Sequence, residues 1–324
     1  MERVKQYLNQ IETEITRRSF IGHPAELYDP LNYMMLLGGK RLRPLYLLLA
    51  NEAVGGNPEE VMHAALAIEV FHNFTLMHDD IMDNAPKRRG QDSVYVRWGV
   101  PTAILSGDLM LVEAYKLICE TETPKLKSVL ALFSKTAAEV CEGQQLDMNF
   151  ESQSAIDTNE YVEMIRLKTA VLLAAALKMG AMLGEADDTL AQGLYDYGIH
   201  IGIGFQLMDD ILDIYGDEKM VGKRPGGDIL SDKKTFLLLK TIELANSAQK
   251  EMLNQWLGKT TDEPDEKIAA IKSLMDDLQI RNIALEKSHF YFETADHILD
   301  GLDIAQDKKD LLRTYTLWLK ARIS

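Results

Sequence analysis

Apolar residues recur at helical spacing along almost the whole chain. The longest stretches of this kind are residues 45–53, 64–71, 104–117, 170–183 and 236–244. Residues three or four positions apart share one face of a helix, so each stretch predicts a helix with a buried side. The alternation typical of strands is nearly absent, since residues 93–100 alone are rich in β-branched and aromatic side chains, and they are too few to build a sheet. The pattern predicts an all-α fold.

Turn-forming residues interrupt the helical pattern at several points. They fall at residues 55–58, 99–101, 121–124, 152–158 and 222–228. Glycine, proline and clusters of small polar residues end regular elements. Apolar helical patterning resumes after each break, so we expect the breaks to separate helices within a single domain spanning residues 1–324.

Composition and charge exclude several classes of partner. The chain has 324 residues, 46% of them hydrophobic, and a formal net charge of −15. This acidic balance disfavours nucleic acid and anionic membranes, which attract basic surfaces. The sequence contains no uninterrupted apolar run of about 18 residues, the length that would predict a membrane span. Its start also lacks the apolar block of a signal peptide, so we expect a cytoplasmic protein. Cys119 and Cys141 show no zinc or redox spacing, and we interpret both as buried structural thiols.

One internal repeat carries most of the candidate chemistry. The segment FTLMHDDIMD at 74–83 is echoed by FQLMDDILD at 205–213, which lacks a residue matching His78. Four residues make about one helical turn, so Asp79 stacks over Asp83 and Asp209 over Asp213. Each group of carboxylates interrupts an apolar helix, where repelling charges are costly unless a cation lies between them.

Magnesium suits these carboxylates, because it prefers oxygen ligands and completes its shell with water and phosphate oxygens. A solvated helix end would explain one such cluster equally well. Two clusters with matching apolar lead-ins favour metal binding.

An acidic protein needs local cations to bind a phosphorylated substrate. Arg88 and Arg89 follow the first cluster, and Lys223 and Lys233 follow the second. Arginine offers phosphate a two-pronged fork and lysine a point charge. His72 lies seven residues before Asp79, on nearly the same helix face.

These motifs, taken in order, resemble the trans-isoprenyl diphosphate synthase family, which includes farnesyl and geranylgeranyl diphosphate synthases. The resemblance runs from about residue 38 to residue 235. It is carried by GGKRLRP at 38–44, DDIMD at 79–83, RRG at 88–90, Gly107-Asp108, Lys168-Thr169, GFQLMDDILD at 204–213, Gly222-Lys223 and residues 228–233.

The resemblance implies the fold and the reaction. It implies a bundle of ten or more helices around a central cavity and a homodimer. The acidic charge predicts no stable membrane association. The implied reaction is a magnesium-dependent condensation of isopentenyl diphosphate with an allylic diphosphate, giving farnesyl or geranylgeranyl diphosphate and released diphosphate. Two alternatives are a terpene cyclase, which needs no isopentenyl site, and an inactive regulatory subunit of a prenyl synthase, which would have lost carboxylates.

The resemblance also implies a role for each motif residue. Three magnesium ions on the allylic diphosphate would be held by Asp79, Asp80, Asp83, Asp209, Asp210 and Asp213. The residues that would carry catalysis are Asp79, Asp80, Asp83, Lys168, Asp209 and Lys223. Isopentenyl diphosphate would be bound by Lys40, Arg43, His72 and Arg89. The allylic diphosphate side would be formed by Arg88, Lys168, Thr169, Gln206, Lys223 and Lys233.

Product length is expected to depend on the helix before the first cluster. Phe74 and Thr75 lie five and four residues before Asp79, or about 6 to 7.5 Å along a helix axis, where a growing chain would run. Members of the family with two adjacent aromatic residues here favour the fifteen-carbon product. Thr75 leaves space while Phe74 obstructs, so we expect products of fifteen to twenty carbons, leaning to geranylgeranyl diphosphate.

Overall fold

The fold was taken from a computed structural model, which describes residues 2–153, 156–216, 225–259 and 263–320. Helices dominate these ranges, as the sequence predicts. In chain order the helices are α1 Glu2–Arg17, α2 Ala25–Leu36, α3 Leu42–Ala53, α4 Met62–Met82, α5 Val94–Trp98, α6 Val100–Cys119, α7 Leu126–Ser152, α8 Thr158–Ile165, α9 Val171–Leu183, α10 Asp188–Tyr215, α11 Gly227–Leu230, α12 Phe236–Leu244, α13 Ser247–Trp256, α14 Pro264–Asp277, α15 Ile280–Gly301 and α16 Gln306–Lys320. A π-helical turn, Arg166–Ala170, joins α8 to α9.

The described part of the chain falls into two compact units. The first takes residues up to 134, 175–195 and 303–315, and the second takes residues 135–174, 196–302 and those from 316 onward. The single domain expected from the sequence stays a prediction.

The first unit is built around α4 and α6. Every residue of α4 from Ala64 to Phe71 is buried, and the small residues Ala103, Gly107 and Ala114 of α6 are buried as well. Small side chains let two helices approach closely, and a Cβ on Gly107 would collide with the ring of His78 on α4. This packing fixes the helix that ends in the first carboxylate cluster.

A short hairpin with two residues in each strand follows α4. Strands β1, Lys87–Arg88, and β2, Gln91–Asp92, pair antiparallel, with Arg88 opposite Gln91. The stretch at 93–100 that the sequence marks as unable to build a sheet instead forms α5 and the start of α6.

The second unit buries the apolar face of α10. Ile201, Leu207, Ile211 and Ile214 are almost fully buried on this helix. The second carboxylate cluster lies on this helix, and its members differ in exposure. Asp209 is exposed, whereas Asp210 and Asp213 are buried.

The interpretation of the cysteines as buried thiols is wrong. Cys119 and Cys141 are both exposed. Cys119 ends α6 just after the buried Leu117 and Ile118, and Cys141 follows the buried Val140 on α7. Each cysteine lies on the outward side of an amphipathic helix, which a count of cysteines does not reveal.

Within the described ranges, no helix is both long enough and apolar enough to cross a membrane.

Candidate active site

The first carboxylate cluster lies at the carboxyl end of α4. Asp80 is buried, Asp79 is partly exposed, and Asp83 caps the helix as an exposed residue. Arg88 of the hairpin donates from Nε and Nη2 to the Oδ1 atom of Asp80, at 2.9 and 2.5 Å, and its Nη2 lies 3.9 Å from Asp79 Oδ2. Burial raises the pKa of Asp80 even though this guanidinium favours the charged form.

The hairpin turn directs two adjacent arginines. Arg89 and Gly90 form its tip with φ angles of 53° and 79°. Positive φ at both central residues matches a type I′ turn, in which a non-glycine residue costs about 1 kcal/mol or more. Arg88 and Arg89 are adjacent in the sequence, but their side chains lie at different places. Arg88 contacts Asp80 of the first cluster, and Arg89 lies beside Gly39.

A separate cationic site lies at the start of α3. Arg43 Nη1 is 3.0 Å from His72 Nε2, and the Arg43 Nε atom is buried without a hydrogen-bond partner among the described residues. Burial, followed by the charges of Arg43 and Arg89, holds the pKa of His72 well below its ordinary value. Burial also lowers the pKa of Arg43 to about 10. The neutral His72 ring therefore accepts a hydrogen bond from the arginine.

Arg89 and the glycine turn before α3 complete this site. An added Cβ at Gly39, where φ is +151°, would lie 2.9 Å from Arg89 Nη2, so the backbone there leaves room for the guanidinium. Lys40 is exposed in the same turn. Three of the four residues expected to bind isopentenyl diphosphate, Arg43, His72 and Arg89, are thus brought close together.

No role was predicted for Arg41, which lies close to this site. Its buried guanidinium donates to Glu12 and Glu69 at 2.8 Å each and to the Met35 carbonyl at 2.7 Å. Glu69 also accepts from the Asn73 amide. The network ties the turn before α3 to α4, which fixes the start of the helix that carries Arg43.

Phe74 is held rigidly in the wall of α4. Its ring packs 5.5 Å from Phe71 and 4.8 Å from His78 between centroids. His78 Nε2 is 3.1 Å from the Ile104 carbonyl. Thr75 is half-buried and donates to the His72 carbonyl at 2.8 Å. The bulky residue is braced by aromatic neighbours, and the threonine beside it is small.

The second cluster has its own set of partners. Asp210 accepts hydrogen bonds from the Tyr161 hydroxyl and, at 3.1 Å, from Gln206 Nε2. Thr169 Oγ1 donates to Gln206 Oε1 at 3.3 Å, so four residues are linked in series. Burial, followed by the nearby charge of Asp228, raises the pKa of Asp210 to about 8.

A π-helical turn positions Lys168 and Thr169. Single π-turns are rare and frequent at functional sites. Gly143 of α7 and Gly202 of α10 pack against this turn so closely that a Cβ on either would collide with it. Lys168 Nζ donates to Asp147 Oδ2 at 2.6 Å. Asp147 was not identified from the sequence, although it lies one helical turn after Gly143.

Asp213 ties down the segment that follows α10. Its Oδ2 atom accepts from the Asp228 amide at 2.8 Å, and its carbonyl accepts from the Gly226 amide at 2.6 Å. Lys233 is exposed in this segment. Lys223, the other cation expected here, lies outside the described residues.

The first cluster has the chemistry of a magnesium site. The buried Asp80 Oδ2 atom has no hydrogen-bond partner among the described residues, whereas Oδ1 is satisfied by Arg88. An orphaned carboxylate oxygen beside Asp79 fits a hard divalent cation. Within the same ranges no three side chains of His, Cys, Asp or Glu lie close enough to hold an ion by themselves. Magnesium commonly keeps waters and takes substrate phosphate oxygens, so few protein ligands suffice.

Comparison with known proteins defines the class. A family model described as polyprenyl synthetase matches residues 24–275. The chain belongs to the polyprenyl synthetase family and is a prenyltransferase. This confirms the family resemblance, the all-α fold and the enzyme class predicted from the sequence.

Several of the similar proteins are named as geranylgeranyl diphosphate synthases. The chain is 39% identical to the geranylgeranyl diphosphate synthase of Methanosarcina mazei, over 97% of this chain and 95% of that protein. It is also similar to a crystal structure of a geranylgeranyl pyrophosphate synthase, with a TM-score of 0.94, 42% identity and coverage of 99% of both chains. The geranylgeranyl pyrophosphate synthetase of Pyrococcus horikoshii Ot3 superposes with a TM-score of 0.91 at 34% identity, over 100% of this chain and 97% of that one.

Proposed function

We propose that this enzyme condenses isopentenyl diphosphate with an allylic diphosphate and that geranylgeranyl diphosphate is its main product. The observation that carries the reaction type is the pair Arg88 and Arg89. Arg88 bonds the carboxylates of the first cluster, whereas its neighbour lies at the cationic site of Arg43 and His72. A carboxylate site next to a separate anion site fits two diphosphate substrates, whereas a terpene cyclase needs one.

Each site is assigned one substrate in this proposal. Isopentenyl diphosphate is bound by Lys40, Arg43, His72 and Arg89. The allylic diphosphate is bound by Arg88, Lys168, Lys223 and Lys233, with Thr169 and Gln206 beside it. Neutral His72 accepts from Arg43 through Nε2 and has its Nδ1 proton left to donate, without adding charge, so the arginines carry the electrostatic attraction.

Magnesium is proposed as the cofactor, with three ions in all. Asp79, Asp80 and Asp83 are proposed ligands at the first cluster, and Asp209, Asp210 and Asp213 at the second, where Asp209 is the exposed member. Bound magnesium neutralises negative charge on the departing diphosphate.

The protein's own residues then have defined tasks. Arg88 and Lys168 orient the allylic diphosphate and stabilise it as the carbon–oxygen bond breaks. The isopentenyl double bond attacks the resulting allylic cation, and a proton is lost to the released diphosphate. Apolar side chains such as Phe74 exclude water, which would otherwise trap the cation.

The product assignment depends on α4. Phe74 is braced by Phe71 and His78, so it forms a firm obstruction, while Thr75 leaves space one position nearer the carboxylates. The Methanosarcina mazei relative is named as a geranylgeranyl diphosphate synthase. Both observations support a twenty-carbon product.

We also propose a homodimer. Ile104, Leu105 and Val112 are exposed on one side of α6, with 43%, 59% and 52% of their surface accessible. An exposed apolar stripe of this kind favours association with a second copy. Sedimentation of Leu105→Glu beside the wild type tests this, and a wild-type monomer at micromolar concentration would contradict it.

The cytoplasmic location stays a prediction from the sequence.

Incubation with magnesium, isopentenyl diphosphate and allylic primers of five, ten and fifteen carbons tests the reaction. All three primers should be extended. If none of the three primers is extended, the proposal is overturned.

A further inference from the structure

A fully buried lysine lies behind the segment that follows the second carboxylate cluster. Lys267 of α14 has a relative exposure of 0%. Its ammonium lies 2.6 Å from Asp232 Oδ1 and 3.4 Å from the Leu230 carbonyl. At this separation the ammonium and the carboxylate form an ion pair.

Asp232 anchors the backbone just before Lys233. Its φ angle is 53°, in the left-handed region, and its second carboxylate oxygen accepts from the Gly258 amide at 2.9 Å. A non-glycine residue keeps such a conformation only when its surroundings enforce it. The ion pair with Lys267 is one of those constraints.

Two further anchors flank Lys233. On one side, its amide donates to the Asp228 carbonyl at 2.9 Å, and Asp228 is itself held by Asp213. On the other side, the Lys234 ammonium donates to the carbonyls of Phe150 and Gln153 at the end of α7. The backbone of Lys233 is therefore fixed while its side chain is exposed. The positive charge of Lys233 acts to lower the pKa of Asp210 in the second cluster.

Stability alone does not explain a charge in this position. Burying the Lys267 ammonium and most of the Asp232 side chain is costly, and a well-packed apolar pair is often equally stable or more so. A methionine would occupy nearly the same volume as Lys267. An ion pair adds a fixed geometry, which here sets the path of residues 230–233.

We propose that Lys267 is a positioning residue for the condensation, acting through Asp232 to hold Lys233 where it binds the allylic diphosphate. This inference rests on the proposed function of Lys233. Lys267 itself does not touch substrate.

The test compares Lys267→Met alone with the double variant Lys267→Met/Asp232→Asn. The single variant leaves Asp232 with an unpaired charge, so its melting temperature should fall, whereas the double variant should recover it. The double variant should still show an allylic KM raised about tenfold or more, an unchanged KM for isopentenyl diphosphate, and weaker binding of inorganic diphosphate in calorimetry with magnesium. Amide hydrogen exchange at residues 230–235 should be faster.

Two control variants separate the possible failures. Lys308→Met breaks an ion pair with Glu52 in the other unit, and it should lower stability without altering the allylic KM. Lys233→Ala should raise the allylic KM. If Lys233→Ala has this effect and the stable double variant has wild-type kinetics, the positioning role is overturned while the proposed function stands. If Lys233→Ala has no effect, the proposed role of Lys233 is wrong and the inference fails with it.

Discussion

Arg88 satisfies one carboxylate oxygen of Asp80 with two hydrogen bonds and leaves the other oxygen without a partner among the described residues. The arginine orients the carboxylate, and a cation can then bind the remaining oxygen. A buried carboxylate with a raised pKa also gains from a divalent ion, which favours its charged form. This geometry supports the proposal that the first cluster binds magnesium.

Activity should require both carboxylate clusters. Asp79→Ala and Asp209→Ala each remove a proposed magnesium ligand, so we expect kcat to fall roughly a thousandfold, which corresponds to about 4 kcal/mol in the barrier. Steady-state kinetics over a magnesium titration measures this. Asp277→Ala, at the exposed end of α14, is the matched control and should behave as wild type. Near-normal turnover in either cluster variant would contradict the metal assignment.

The two substrates should respond to different cations. Arg43→Ala should raise the KM of isopentenyl diphosphate far more than that of the allylic primer, because Arg43 lies at the His72 site. Lys168→Ala and Lys223→Ala should do the reverse. Measuring both constants for each variant tests this division, and equal effects on both substrates would show it to be mistaken.

His72 should make the fold sensitive to acid. Its pKa is lowered in the folded state by burial and by the neighbouring arginines, so the unfolded chain binds the proton more readily. The neutral ring contributes stability that is present above about pH 6.5, the ordinary histidine value, and is lost as pH falls towards the lower folded pKa. Denaturant unfolding of wild type and His72→Gln from pH 5 to pH 8 should show the two curves converging at low pH. A constant difference would contradict a depressed pKa.

Product length should follow the size of two neighbouring side chains. Phe74→Ala removes the obstruction and should lengthen the product by one or more isoprene units, whereas Thr75→Phe should shorten it towards fifteen carbons. Chromatography of the dephosphorylated products measures both. An unchanged distribution in the two variants would move the chain-length stop elsewhere, with residues 107–115 of α6 as the next candidates.

Local periodicity predicted the helices at the five longest apolar stretches and the carboxylate end of α4. The apolar lead-in of residues 74–83 predicts a helix that ends in aspartates, and α4 does end at Met82 with Asp83 as its cap. The hairpin at Lys87–Asp92 was not predicted, because its Arg-Gly tip differs from the Asn-Gly or Asp-Gly turns that mark such hairpins.

Partners distant in the sequence could not be predicted from it. Tyr161 meets Asp210 across 49 positions, and Arg41 meets Glu69 across 28. Neither contact leaves a periodic trace in a single sequence, because both depend on how separate helices pack. The exposure of Cys119 and Cys141 depends on the same packing.

The central claim is tested most directly by the product formed from farnesyl diphosphate and isotopically labelled isopentenyl diphosphate. With magnesium present, mass spectrometry should find geranylgeranyl diphosphate as the main labelled product, and chelation by EDTA should abolish it. A main product of another length would contradict the twenty-carbon assignment, and the absence of any labelled prenyl product with magnesium present would contradict the proposed condensation itself.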